Sequence, residues 1–461
     1  MNSDRVKKIC LSLSVILAMT LFFCLYMLNL NSDNKEDKSV QASVPEVITG
    51  APLSSMRLRE SKGIYNSYKP GEFSKIYINV FETRDKDGKV NSFSDFDLVA
   101  DWDGDFNPVL DASVYFTEKE IKPHGQAISI PNAQVRVRGN AGAALKSYRI
   151  KFMEGIDGFK GQSVFNLNKS LNDPSRIANK LGHDLIIGLQ NISGFRTSFL
   201  EVYIKDNSLD SEDPDFHSYG LYTHIEQPNK AYLKSRGLDE NGSLYKAEDF
   251  SFKLSPQIKN VDSAEYDKRS FETVISIREG KDHIELIQML EDLNDESKDF
   301  NEVFNTYFNE DNYLTWLSIN ILLGNADAMS SGFLLYSPSN SLGFYLLPWD
   351  FDGIFSWMEE ESNVPSIYES LDGIVLHRKY LQMDGSIEKL KSKMEELKSD
   401  ALSPEKVKSL IKQYKPILLE MMLQYPDNIL STISINEQIA YIEQMDEEIQ
   451  INYHEFMKQY E

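Results

Sequence analysis

Phe344-Tyr345-Leu346-Leu347-Pro348-Trp349-Asp350-Phe351-Asp352-Gly353 is an apolar run that ends on two carboxylates, two positions apart, before a glycine. Short unbroken apolar runs of this kind read as buried strands, and the glycine marks the turn that follows. Hard oxygen donors so placed suit Mg²⁺, which takes one or two carboxylates and fills its shell from substrate phosphates. Asp350 and Asp352 are therefore candidate metal ligands, although an ordinary polar turn after a buried strand carries the same pattern. Upstream, Leu323-Gly324-Asn325-Ala326-Asp327-Ala328-Met329 puts Asp327 in a loop just past an expected helix end. The helix dipole there is unfavourable to a carboxylate, a cost usually borne for a partner or a purpose. A loop carboxylate that orients a hydroxyl, followed by a strand whose carboxylate holds a metal, is a layout of phosphoryl transfer.

Further upstream, Gln134-Val135-Arg136-Val137-Arg138-Gly139-Asn140-Ala141-Gly142-Ala143-Ala144-Leu145-Lys146-Ser147-Tyr148-Arg149-Ile150-Lys151-Phe152 reads as strand, small-residue loop, strand. Such a loop lets backbone N–H groups come close to phosphate oxygens. It is not the strand-to-helix phosphate loop, because Leu145 precedes Lys146 where that motif needs Gly. The pattern suggests a hairpin closing over nucleotide phosphates, with an ordinary surface hairpin as the plainer reading. Strand alternation groups Lys146 with Tyr148 and Ile150, and Lys151 with Arg149 on the opposite face, so either lysine is a candidate for the phosphates.

The order Arg138-Gly139-Asn140, Lys146 through Phe152, Gly220-Leu221-Tyr222-Thr223-His224-Ile225-Glu226, Gly324-Asn325-Ala326-Asp327 and Trp349-Asp350-Phe351-Asp352 resembles the CotH family of spore-coat and secreted atypical protein kinases. The resemblance covers roughly residues 130–360. It implies a divergent protein-kinase-like fold of α+β class, ATP and Mg²⁺ as cofactors, and transfer to serine or threonine of a protein substrate. Carried over by position, Asp327 is the catalytic-loop carboxylate, Asp350 and Asp352 are on the metal, and Lys146 or Lys151 is the phosphate-side lysine. Arg138, Glu226 and Asn325 fall on the nucleotide side. The sequence departs from the family at one place: five positions after Asp327, where members often carry a metal-binding Asn, it has Gly332, with Ser330 and Ser331 as the nearest hydroxyls. That departure motivates a competing reading, a kinase-like surface binding or structural module without turnover.

Around these motifs the chain divides into a β-rich and a helical half. From Lys75 the pattern is period-two, with Ile76, Ile78 and Val80 alternating with Tyr77, Asn79 and Phe81. Further strands are expected at residues 113–116, 134–138, 147–152, 199–204 and 220–225. At Asp173-Pro174 an acidic cap and a proline open a helix whose apolar face is Ile177, Leu181, Leu185 and Ile186. From His283 onward helices are expected at 284–293, 300–308, 311–323, 386–399, 404–423 and 435–460, the last with a Ser434/Glu437 capping box. The expected organisation is a β-rich extension over 56–130, a core over 131–360 and a helical region over 361–461, with a cleft between the β-rich and helical halves.

The N-terminus carries Arg5, Lys7 and Lys8 before an apolar run from Ile9 to Leu30, about the ~20 residues needed to cross a bilayer. The expectation is a signal anchor at 1–30 and a flexible stalk at 31–55, with the body outside the cytoplasm. A lipoprotein through Cys24, and a secreted or spore-coat location, are the alternatives. The only cysteines, Cys10 and Cys24, lie in this run, which excludes a disulfide framework and a thiolate zinc site in the body. The seven histidines show no paired metal spacing. A formal net charge of −23 would repel a phosphate backbone, so nucleic acid is not an expected partner. Asp101-Trp102-Asp103-Gly104-Asp105 has calcium-loop spacing, but Phe106 stands at the turn glycine and no closing Glu follows.

Overall fold

The computed structural model describes residues 57–100, 106–117, 130–139, 143–208, 215–339, 341–355 and 366–461. The anchor and stalk, the Asp101–Asp105 acidic loop and the Asn140–Gly142 hairpin tip lie outside them.

Nine residues of period-two sequence form β1 (Phe73–Phe81), followed by a small ribbon of β2 (Thr83–Arg84) and β3 (Val90–Asn91). β4 (Leu110–Thr117), β5 (Ala133–Arg138), β6 (Ser147–Phe152), β7 (Val164–Asn168), β8 (Thr197–Asp206) and β9 (His217–Glu226) then complete a closed barrel in the order β1-β4-β5-β6-β7-β9-β8. The seam is the parallel pair β1 and β8, with Phe73 opposite Phe199 and Val80 opposite Asp206. Ile76, Ile78, Val80, Val135, Val137, Ile150, Leu167, Leu200 and Val202 belong to one buried cluster, so side chains fill the barrel interior. On β5 and β6 the residues between them, Arg136, Arg138, Arg149 and Lys151, take the opposite, outer face.

This corrects the expected kinase-like fold. The β-rich half closes into a seven-stranded barrel, and β1 and β4, read from sequence as part of an extension, are needed to close it. Nothing local in the sequence announces the β1–β8 seam, because it joins segments far apart in the chain. The expected transmembrane helix lies outside the described residues, and among the described residues no helix is long and apolar enough to cross a membrane. The single-pass placement in a membrane is accordingly without support here.

Between β7 and β8 runs helix α1 (Ala178–Ile186), all of whose residues are buried. It begins later than Asp173-Pro174 suggests, since Arg176 takes a left-handed φ of 63°; Asp173 still caps it, accepting the Ala178 N–H at 2.9 Å. After β9 and α2 (Lys230–Ser235) a second sheet forms, in the order β11-β10-β12-β13. Its strands are β10 (Ser243–Ala247), β11 (Ile275–Glu279), β12 (Phe333–Ser337) and β13 (Tyr345–Pro348). The helices are α3 (Lys268–Glu272), α4 (Ile284–Asn294), α5 (Phe300–Tyr307), α6 (Glu310–Leu322), α7 (Ile367–Gly373), α8 (Val375–Leu381), α9 (Ser386–Ser399), α10 (Pro404–Met422) and α11 (Ile435–Gln459).

β13 is buried along its whole length: Leu346 faces the helical core, while Tyr345 and Leu347 join a cluster on the other side with Phe195, Leu334 and Trp349. That is why its sequence is continuously apolar. α6 is buried from Asn312 to Leu322 and serves as the central post. Its Asn312 grips the Leu346 peptide from both ends, donating to the carbonyl at 3.1 Å and accepting the N–H at 2.8 Å. The register of the strand that leads into Asp350 is thus fixed by a buried amide that is itself satisfied.

Candidate functional site

Asp327 is placed by the end of α6. Gly324, at φ 68°, supplies the left-handed turn that stops the helix, and Asn452 of α11 donates to the Leu322 carbonyl at 3.2 Å. Asp327 opens a short 3₁₀ turn to Met329, as its position past a helix end suggested. Its carboxylate lies beside Gly353, where a Cβ would come within 3.4 Å of Oδ2. Burial and the charge of Asp350 push the Asp327 carboxyl above the usual range.

Asp350 follows β13 directly. Its N–H donates to the Gly332 carbonyl at 2.8 Å, and its own carbonyl accepts from Asn325 Nδ2 at 2.9 Å. Asn325 also reaches Asn320 Oδ1 at 3.1 Å, so this residue ties the end of α6 to the acidic segment. It positions Asp350. From the opposite side Asn179 of α1 donates to Asp350 Oδ1 at 3.1 Å, while Asn179 Oδ1 is buried without a hydrogen-bond partner. Asp352 opens to solvent, yet its carboxyl is held well above the ordinary range. The charge of Asp350 is the main cause, followed by desolvation, a hydrogen bond between the two carboxyls, and the charge of Asp327. Three aspartates therefore crowd one another, a repulsion that a cation would relieve.

Facing Asp350 is a cleft with about 440 Å³ of open space, lined by Arg138, Gly139, Arg149, Gln227, Pro228, Lys246, Arg278, Trp349 and Asp350. It lies between the outer face of the β5–β6 hairpin and the second sheet, with no helix residue in its lining, whereas the sequence suggested a cleft between the β-rich and helical halves. Arg138 and Arg149 each have a buried Nε with no acceptor. Burial first, and then the neighbouring guanidiniums, push Arg149 down to about 8. Burial also pushes Arg138 down, to about 10, against the pull of Asp350 and Asp352. Lys246 and Arg278 share Glu248, at 2.6 and 3.4 Å. Four cationic side chains thus line a cleft that also reaches Asp350, a chemistry that suits an anionic group.

Of the residues singled out in sequence, Asp327, Asn325, Asp350, Asp352 and Arg138 come together here. Lys146 and Lys151 are not among the residues lining the cleft. Lys146 is buried ahead of β6 with its carbonyl accepting from Tyr222 at 3.0 Å, and Lys151 is exposed beyond Arg149. Glu226 is buried at the end of β9 in ion pairs with Arg196 and Arg236. Burial pushes its carboxyl up, but the two guanidiniums outweigh that and hold it down at about 2. Sequence reasoning missed Arg149, Lys246, Arg278 and Asn179. Arg149 was within the quoted hairpin and pairs with Arg136 across it; the other three arrive from elements whose neighbours no local pattern reveals.

Among the described residues no three His, Cys, Asp or Glu side chains are arranged to hold a metal ion. Two crowded carboxylates fit a hard cation that takes its remaining oxygens from phosphates and water, so the donor set suits Mg²⁺ brought in with a nucleotide.

A filled barrel carries a basic cleft on its outer face, set against an aspartate cluster that follows a buried strand. The family model described as CotH kinase protein matches residues 135–455, and the chain belongs to the CotH family. It is similar to the inner spore coat protein H of Bacillus subtilis (strain 168), with 26% identity over 211 residues, 45% of this chain and 54% of that protein. The match thus spans about half the length of that relative.

Proposed function

We propose that this CotH protein is an ATP- and Mg²⁺-dependent protein kinase that phosphorylates serine or threonine of a coat or surface protein. The observation that carries the reading is the convergence of Arg138, Arg149, Arg278 and Lys246 on Asp350, with Asp352 and Asp327 beside it. The description of the family as a kinase supports the reaction type, and the name of the Bacillus relative supports a coat protein as acceptor.

In this mechanism Arg138 and Arg149 donate their spare N–H groups to phosphate oxygens. Asp350 and Asp352 would hold Mg²⁺, which would offset the negative charge that builds on the phosphates. Asp327 orients the acceptor hydroxyl and takes its proton, a role served by a carboxyl whose affinity for protons is raised. The hydroxyl oxygen bonds to the γ-phosphorus as the bond from phosphorus to the β–γ bridging oxygen breaks, and ADP leaves.

The test is thermal unfolding with and without ATP and Mg²⁺, beside transfer of labelled γ-phosphate to a protein acceptor. Bound ligand raises stability by about 2.7 kcal/mol at a hundredfold excess over Kd. Asp350→Ala is expected to keep the fold, lose the Mg²⁺-dependent shift and lose transfer. Transfer retained in that variant refutes the assignment.

A further inference from the structure

Position 332 carries no side chain, and its backbone conformation favours glycine. Gly332 has a φ of 64°, and a Cβ there would lie 3.0 Å from Asp350 Cβ. Its backbone is fixed on both sides, donating to the Ala247 carbonyl at 3.2 Å and accepting from the Asp350 N–H at 2.8 Å. A side chain there would crowd the Asp350 side chain.

Asn179 approaches the same carboxylate from the other side. It is 3% exposed and sits one turn before Gly182, where a Cβ would come within 2.5 Å of the Phe351 ring. Residues three apart share a helix face, so the contact that presses Gly182 on Phe351 also presses Asn179 on Asp350, at 3.1 Å. Its oxygen is buried with no donor, an unsatisfied state that destabilises the fold unless a ligand fills it. A half-turn of the amide exchanges its oxygen and nitrogen without moving the helix, because that terminal torsion is soft and roughly two-fold.

We propose that Asn179 supplies an amide oxygen to the divalent cation held by Asp350 and Asp352, in place of the side chain that Gly332 lacks. The inference rests on the nucleotide–metal reading above. A neutral oxygen ligand suits Mg²⁺, for which amide oxygens and carboxylates are alike hard donors.

The experiment is Mn²⁺ binding followed by electron paramagnetic resonance on the full-length protein with a non-hydrolysable ATP analogue. Asn179→Ala is expected to weaken Mn²⁺ by about 10–100-fold, the usual scale for losing a supporting group at a metal. Asn179→Asp keeps an oxygen in place and is expected to bind as tightly as the parent or more so. Unchanged affinity in Asn179→Ala overturns the role of Asn179 and leaves the metal site standing. Absence of Mn²⁺ binding in the parent overturns both. Should Asn179→Ala lose its cooperative thermal transition, Asn179→Asp decides: weaker binding than the parent in a folded variant refutes the proposal.

Discussion

Phe351 lies so close against Gly182 that a Cβ on the glycine would meet the ring at 2.5 Å. The ring is also edge-on to His183 at 5.1 Å between centroids. The residue between the two acidic positions is therefore clamped to α1, and Asp350 and Asp352 inherit their aim from that clamp. Gly182→Ala is expected to cost about 1–3 kcal/mol through overpacking, read by thermal unfolding. The folded variant should also bind Mg²⁺ with ATP more weakly than the parent; unchanged affinity would show that the acidic segment is positioned from elsewhere.

Arg149 offers the opposite balance of stability and function. Its Nε is buried without an acceptor, and its neighbours Arg136, Arg138 and Arg278 all carry like charge. Arg149→Met removes a charge that the folded state holds at a cost, so stability should hold or rise. Each charged hydrogen bond lost to phosphate costs about 1.5–3 kcal/mol, so ATP affinity by calorimetry should fall by about tenfold or more.

Glu226 is expected to act on the fold. Glu226→Gln takes the carboxylate from Arg196 and leaves Arg236 with Glu60 alone, at 3.6 Å, a loss of about 3–5 kcal/mol for a broken buried pair. Because the folded carboxyl is held at about 2 and an unfolded one titrates near ~4.3, its contribution is complete above the unfolded value and is lost as pH falls toward the folded one. Urea unfolding should show a large gap between parent and variant at neutral pH and a narrower one at about pH 3. A gap that does not change with pH would show that the ion pairs are not its source.

Asn325 separates positioning from nucleotide contact. It binds the Asp350 carbonyl and the Asn320 amide oxygen with one Nδ2, and Asn325→Ala removes both bonds, costing about 1–3 kcal/mol. Mn²⁺ affinity should fall with it, whereas ATP affinity measured without metal should stay near that of the parent. A loss of metal-free ATP binding would place Asn325 on the nucleotide itself.

What could be read from the sequence was local. The hairpin of β5 and β6 ends at Arg138 opposite Ser147, matching the strand limits that alternation suggests. Helix α9 runs from Ser386 to Ser399 as expected, and Ser434 and Glu437 form the reciprocal cap of α11. Asp327, Asp350 and Asp352 were legible because a helix end and a buried strand deliver them within one short stretch of chain. β7, β10 and β11 went unread, each being only five residues long. With them went Lys246 and Arg278, whose place at the cleft depends on sheet pairing. The kinase-like fold was inferred from motif order alone, and motif order does not report how strands close.

The seam of the barrel also sets a timetable. β1 finds its parallel partner only when β8 exists, with Phe73 waiting for Phe199 and Lys75 for Glu201, to which it is ion-paired at 3.1 Å. On a ribosome the first strands must therefore stand with an open edge until more than a hundred further residues have been added, and such edges are where nascent β proteins aggregate. Because the cleft is lined by the outer face of that same barrel, a chain cut short before β8 would display Arg138 and Arg149 on an unclosed sheet. The basic wall of the cleft is thus acquired late in synthesis, with closure as its precondition.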